Sequence, residues 1–440
     1  MPQTSNITEL RAAIDRSPMS NYQIFTVAIC AVINMIDGFD VLAVAFAGPA
    51  IAEDWSVSPI ALGTLLSSGL VGMLMGSLLL APLADQVGRR RLIITSLTLV
   101  SVGMFASALT QSIWSLSIMR WLTGLGVGGA LASVNTLTAE YSSSRRRDMS
   151  IAFLQTGFPI GATIGGAIST YLLLEFGWRS VFVFGGACSA AILPLVVWRL
   201  PESLDFLISS RGPNTLQRIN TILVRMGWTN LDETPAAVAP TPTVFTVNQI
   251  LATEFRSATL LLWFAFSLVF FANYFLLSWT PTLLVDAGLS ATEGVSGTIL
   301  INVGGITGAL IWGAMAPRNR IRTFLIWYFI AAAAAFIGFA FSTSLWLMLT
   351  AAFTIGFFIF PCVTALYTIA PRLYPTTFRT TGVGWAIGIG RFGAILGPYI
   401  AGILLAFGWE AKTLYIAFAL PLLLAATTVA RINIPSRYLG

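Results

Sequence analysis

Histidine is absent from this 440-residue chain. Proton handling near neutral pH therefore falls to carboxylates in unusual surroundings, because the side chain that ordinarily titrates there is missing. Cysteine is scarce. Cys30, Cys188 and Cys362 lie far apart within apolar runs, which matches neither a disulfide framework nor a metal-ligand spacing. They read as packing residues, and no cofactor or metal is called for. Charge is also scarce, at 10% of residues against 56% hydrophobic, and a mean hydropathy of +0.82 excludes a soluble domain of this size. This is the composition of a polytopic membrane protein. The first twenty residues include Glu9, Arg11, Asp15 and Arg16 and no short apolar core before a cleavage site. No signal peptide is expected, and the first span stays in the mature chain.

Apolar runs of membrane-spanning length fall at 22–46, 60–84, 92–110, 113–140, 149–174, 180–199, 257–278, 293–316, 323–341, 345–370, 382–406 and 413–430. They predict an all-α membrane protein with twelve transmembrane helices. The net charge of +6 raises nucleic acid as a partner, but its distribution argues against one. With the N-terminus in the cytoplasm, every Lys and Arg except Arg120, Arg179, Arg391 and Lys412 falls on the inner side. The positive-inside rule then places both termini in the cytoplasm. Runs such as Arg145–Arg147 become topology signals, and nucleic acid is not a partner.

The two halves match at a displacement of 232 residues. Pro49 pairs with Pro281, Asp54 with Asp286, Trp114 with Trp346, Arg147 with Arg379 and Gly165 with Gly397, while Gly177-Trp178 recurs at Gly408-Trp409 after one residue of slippage. Six spans per half make the second copy enter the membrane in the same direction as the first, a parallel repeat whose substrate site lies between the halves. The expected organisation is a six-helix bundle over 1–200, a cytoplasmic linker over 201–256 and a second bundle over 257–440. Glu202 to Met226 has apolar residues at helical spacing with arginines between them, as in short helices on a membrane surface. Thr234 to Thr243 has the composition of an extended tether.

Charges without a mate in the other half carry the functional information. Asp37 and Asp40 face Val269 and Ala272 at this offset, Arg120 faces Ala352, and Arg391 aligns with Pro159. A carboxylate at membrane depth costs about 2.5–3.5 kcal/mol on insertion scales and is kept where it faces a cavity, a partner or an ion path. The i, i+3 spacing puts both acids on one helical face, with Gly38 leaving room for a neighbouring helix. Two carboxylates so close do not both ionise readily in a poorly solvated place, so one is expected to hold a proton. The alternative is that an aspartate pairs with Arg120 to lock helices. Arg391, in Gly-Ile-Gly-Arg-Phe-Gly, suits a substrate carboxylate or, alternatively, a structural role. Gln155, Asn273, Tyr274, Asn302, Tyr367 and Trp385 lie at cavity depth, with ordinary packing as the alternative for each.

The stretch Ala81-Pro-Leu-Ala-Asp85-Gln-Val-Gly88-Arg89-Arg90-Arg91 is similar to the loop signature of the major facilitator superfamily, with Ala81 in place of glycine and Gln86 in place of a basic residue. Asp85 would meet the positive N-terminal end of the eleventh helix and lock one face, with the arginines anchored to headgroups. The second copy, Gly313-Ala-Met-Ala-Pro317-Arg-Asn-Arg-Ile-Arg322, has lost the acid. Within the superfamily, Asp37-Gly-Phe-Asp40 resembles the aromatic acid:proton symporters. Arg120, Ala139-Glu140, Leu200-Pro-Glu-Ser203 and Tyr374-Pro-Thr-Thr-Phe-Arg379 leading into Gly390-Arg391-Phe-Gly393 also fit. Arg372 stands where an acid is common, so gate pairing is expected to be rearranged.

The resemblance implies the major facilitator fold, alternating access and import of small aromatic or related carboxylates with protons across the plasma (bacterial inner) membrane. The expected proton-coupling residues are Asp37, Asp40 and Arg120. Arg391, Gln155, Asn273, Tyr274, Tyr367 and Trp385 are the expected substrate residues. Asp85, Gly88, Arg89, Glu140, Arg147 and Arg379 are the expected gate. The partners are a small organic anion, protons and the bilayer, and a monomer is expected. A sugar or polyol porter and a drug efflux antiporter are the rivals within transport. A membrane enzyme or sensor is disfavoured, since no intramembrane nucleophile or metal constellation exists.

Overall fold

A computed structural model describes residues 14–210, 214–233, 251, 255–315, 320–374 and 379–432. Twelve long helices run through it: α1 (Asn21–Trp55), α2 (Pro59–Leu79), α3 (Arg89–Ala108), α4 (Ile113–Glu140), α5 (Arg147–Phe176), α6 (Trp178–Arg199), α7 (Arg256–Asp286), α8 (Ala291–Met315), α9 (Ile321–Ala340), α10 (Leu345–Ile369), α11 (Arg379–Ala406) and α12 (Ala411–Arg431). They correspond one for one to the predicted spans. The largest differences are at the ends of α1 and α7, which outrun their apolar stretches by about two turns. Hydropathy records where lipid contact stops, whereas the helices continue past Pro49 and Pro281 to Trp55 and Asp286.

The helix starts are written in short polar residues, and the writing repeats. Ser58 and Ser112 accept from the backbone N–H groups of Ala61 and Ser115. Their mates 232 residues on, Ser290 and Ser344, accept from those of Glu293 and Leu347, as N-caps do. Glycine contacts repeat as well. Gly72 and Gly76 of α2 let the helix backbone lie against the carbonyls of Trp121 and Leu125 of α4; Gly304 and Gly308 of α8 do the same against Phe353 and Phe357 of α10. Gly161 meets the Met35 carbonyl, and Gly393 meets that of Ser267. Pairs α1 with α5 and α2 with α4 thus recur as α7 with α11 and α8 with α10.

The linker corrects one expectation. Helices Leu204–Ser210 and Thr215–Arg225 form, but Leu207, Ile208, Ile219 and Leu223 bury themselves with Ile14, Ile93, Leu137 and Tyr141 in a cluster under the first six helices. Their apolar faces meet protein and not lipid. The Thr234 to Thr243 tether lies outside the described residues.

Candidate functional site

Gly38 brings α1 directly onto the backbone of Phe158 in α5, and this tight crossing encloses the acids. Asp37 is 3% exposed and neither carboxylate oxygen has a hydrogen-bond partner among the described residues. Asp40 is fully buried, turned towards α6, with Ser189 Oγ 3.4 Å from Oδ2. Arg120 of α4, also buried, donates to the main-chain carbonyl of Asp40 at 2.5 Å and contacts Met104 Sδ at 2.7 Å. No Arg120–aspartate contact within 4 Å forms among the described residues, although Arg120 and the Asp40 carboxylate interact electrostatically. The guanidinium holds the helix backbone and leaves the Asp37 carboxylate free.

The first six helices meet the last six at the end remote from the linker. A Cβ on Gly63 of α2 would lie 2.9 Å from the Pro398 carbonyl oxygen of α11 and 3.2 Å from Gly402 Cα. Ser67 Oγ donates to the Ile395 carbonyl at 2.9 Å. On α1, Gly48 faces Thr282 of α7 at 3.4 Å, and on α5, Gly166 faces Ile299 of α8 at 2.9 Å, each measured from the position of a Cβ. Eleven residues are three helical turns, a net rotation of about 20° and a rise of about 16 Å. Stepping back eleven residues towards the linker from Gly48, Gly166 and Gly402 arrives at Asp37, Gln155 and Arg391. All three are thus angularly aligned with contacts between the halves and displaced to the end where those contacts stop.

Their surroundings differ. Gln155 is exposed and makes no hydrogen bond among the described residues. Arg391 is partly buried and likewise has no ion-pair or hydrogen-bond partner there, but lies within electrostatic range of the Tyr367 hydroxyl, which also senses Tyr274. Gly390 seats α11 on Phe266 and Phe270, whose rings pack edge-on against Tyr367 at 5.5 Å and Tyr274 at 6.0 Å. Trp385 is 42% exposed and tilted over Trp263 at 6.0 Å. Asn273 and Asn302 are buried, each with its amide oxygen unpartnered. Asn302 donates to the Thr298 carbonyl at 2.9 Å. Among the described residues, α11 thus offers a guanidinium without a partner near aromatic rings, and α1 an acid without a donor.

At the linker end Gly88, Arg89, Glu140 and Arg147, four of the expected gate residues, lie within the first half. Gly88 takes φ +99°, and Arg89 pairs with Glu140 and donates to Ser203 Oγ at 2.6 Å. Glu202 accepts from the backbone N–H groups of Arg90 and Ser203 at 3.1 and 3.0 Å, and its carbonyl accepts from the Tyr141 hydroxyl at 2.7 Å. Arg90 reaches the Val197 carbonyl, so it and Arg89 hold protein groups rather than headgroups. Arg147 pairs with Asp15 at 2.5 Å. The Asp85 side chain is 79% exposed and, among the described residues, its ion pair is with Arg89 at 3.7 Å and not with α11. The side chain of Arg379 lies outside the described residues. Sequence reasoning missed Asp15, Tyr141, Glu202 and Ser203 as parts of this network. The Leu-Pro-Glu-Ser element was the available signal for the last two.

A helical membrane protein built from two pseudo-equivalent six-helix sets has the architecture of a secondary transporter. Comparison with known proteins gives the family. The Major Facilitator Superfamily profile matches residues 28–386 and 303–437, and the chain belongs to that superfamily. It is 35% identical to a gallate transporter of Pseudomonas putida, over 94% of this chain and 93% of that one. It is 32% identical to the 4-hydroxybenzoate transporter PcaK of Pseudomonas aeruginosa, over 96% and 95%. It is 29% identical to a 3-(3-hydroxy-phenyl)propionate transporter of Escherichia coli, over 94% of each. Among solved structures, the inward-open xylose transporter XylE of E. coli superposes with a TM-score of 0.72 at 15% identity, covering 93% of this chain and 96% of that one. That likeness bears on the fold alone.

Proposed function

We propose that this protein imports small aromatic carboxylates together with protons, by alternating access, across a bacterial inner membrane with both termini cytoplasmic. The observation that carries the reading is the guanidinium of Arg391, without a partner among the described residues, three turns below the contact between the halves and within electrostatic range of Tyr367. A forked cation in a low-dielectric cleft suits a carboxylate, and aromatic walls suit a ring. The names of the relatives support the same substrate class.

Asp37 carries the proton in this scheme. A buried carboxylate with no donor is costly as an anion, so Asp37 holds its proton while enclosed, as in the described arrangement, and releases it when water reaches it. Arg120 fixes the α1 backbone at Asp40 and thereby positions both acids. With the linker on the cytoplasmic side, the described arrangement is the inward-facing state, and bundles 1–200 and 257–440 rock about 201–256. One uncompensated charge moved against 100 mV costs about 2.3 kcal/mol, so at least one proton must accompany each monoanion to avoid that cost.

The test is uptake of labelled 4-hydroxybenzoate into proteoliposomes. Accumulation should require an inwardly directed proton gradient and collapse with a protonophore. Equal accumulation without a gradient would refute proton coupling, and failure of every aromatic acid to enter would refute the substrate class.

A further inference from the structure

We propose that Gly384 and Gly388 of α11 form the floor on which the ring of the carried acid lies, so that their missing side chains set how many ring substituents the protein accepts. This rests on Arg391 as the partner of the carboxylate.

The face of α11 is fixed by its neighbours. Gly390, Gly393 and Gly397 pack on Phe266, Ser267 and Phe271 of α7, so they serve helix packing. Gly384, Gly388 and Arg391 fall on another side, within about 60° of one another. The same side carries Ile395 and Gly402, which touch α2 of the first half further along. This face therefore looks across the cleft where the halves separate. A Cβ at Gly384 or Gly388 would meet nothing within 4 Å, so neither glycine is required by packing, and neither has positive φ.

Two polar groups beside this bare backbone have unused hydrogen-bonding capacity. Arg391 lies one turn from Gly388 and has no partner among the described residues. The Trp263 indole N–H is buried without an acceptor, under Trp385, the residue next to Gly384. A planar acid laid along the glycines would place its carboxylate at Arg391 and its ring beside the exposed Trp385. Bare peptide planes let a ring approach more closely than any side chain would.

The experiment compares uptake kinetics of benzoate and 3,4,5-trihydroxybenzoate in proteoliposomes for the unsubstituted protein, Gly384→Ala, Gly388→Ala and Gly388→Leu. Alanine favours the helix over glycine and has open space here, so the thermal midpoint should hold or rise. A purely structural role then predicts unchanged transport. The floor predicts that Gly388→Ala raises KM for the trihydroxy acid by about tenfold while benzoate changes less than about threefold, and that Gly388→Leu abolishes uptake of the larger acid. An unchanged KM ratio in both Gly388 variants, or equal losses for both acids, overturns the floor while leaving the proposed function intact. No uptake of either acid by the unsubstituted protein overturns the function and the floor together.

Discussion

The two halves share their close backbone contacts but not their charges. Gly124 of α4 meets the Gly69 carbonyl, and Gly356 of α10 meets that of Ile301, each residue 232 from its mate. Where the first half buries Asp37, Asp40 and Arg120, the second buries Val269, Ala272 and Ala352, all fully enclosed. A close helix crossing needs a small residue, which gives a duplicated scaffold a packing reason to keep it in both copies. A buried charge has no such scaffold reason to persist, and its presence in one copy marks a task. The proposed division is an acid side for the proton and an Arg391 side for the anion.

The scaffold half of that contrast can be broken directly. Gly72→Leu and Gly304→Leu each drive a side chain into a backbone carbonyl of the neighbouring helix, a clash beyond the about 1–3 kcal/mol of ordinary overpacking. Both variants should lose the monodisperse folded protein on size exclusion in detergent. If one half tolerates the change, the two crossings are not structurally equivalent.

The charge half should fail differently. Asp37→Asn keeps the shape, so the protein should insert and fold, yet gradient-driven accumulation should drop by at least about a hundredfold, the range of a lost proton-transfer group, while substrate exchange across the membrane persists. Loss of exchange as well would move Asp37 from coupling to binding. Arg391→Lys keeps the charge but loses the fork, and KM for aromatic carboxylates should rise by about tenfold, on the order of one charge-assisted hydrogen bond. An unchanged KM would make Arg391 structural.

Much of this was legible in the sequence, for identifiable reasons. Twelve spans follow from run length, the repeat from proline, glycine and tryptophan at one offset, and the acids from their cost at depth. The angular alignment of Asp37, Gln155 and Arg391 was not legible. It needs the identity of the contacts at Gly48, Gly166 and Gly402, and nothing in the sequence says which of 39 glycines face the other half. The partners of Arg89 and Arg147 were hidden for a similar reason. Basic residues at a membrane edge satisfy topology wherever they point, so periodicity does not reveal Glu140, Ser203 or Asp15 as their partners.

The smallest expected effect concerns the contact between the halves. Ser67 supplies, among the described residues, the side-chain hydrogen bond that crosses from the first half to the second, and it is 5% exposed. Ser67→Ala removes that donor without adding bulk, which is worth about 0.5–1.5 kcal/mol, or roughly a fivefold shift in a two-state population. Glycine contacts at Gly63 and Gly402 remain, so the seal should loosen without failing. The readout is a thiol at Gln155, introduced as Gln155→Cys with the partly exposed Cys188 replaced by serine, and labelled from the linker side in oriented vesicles. Closing the linker side hides this position, so Ser67→Ala should slow its labelling, by up to about fivefold. Faster or unchanged labelling would mean that the population is set by the glycine crossings, with no measurable share for the Ser67 hydroxyl.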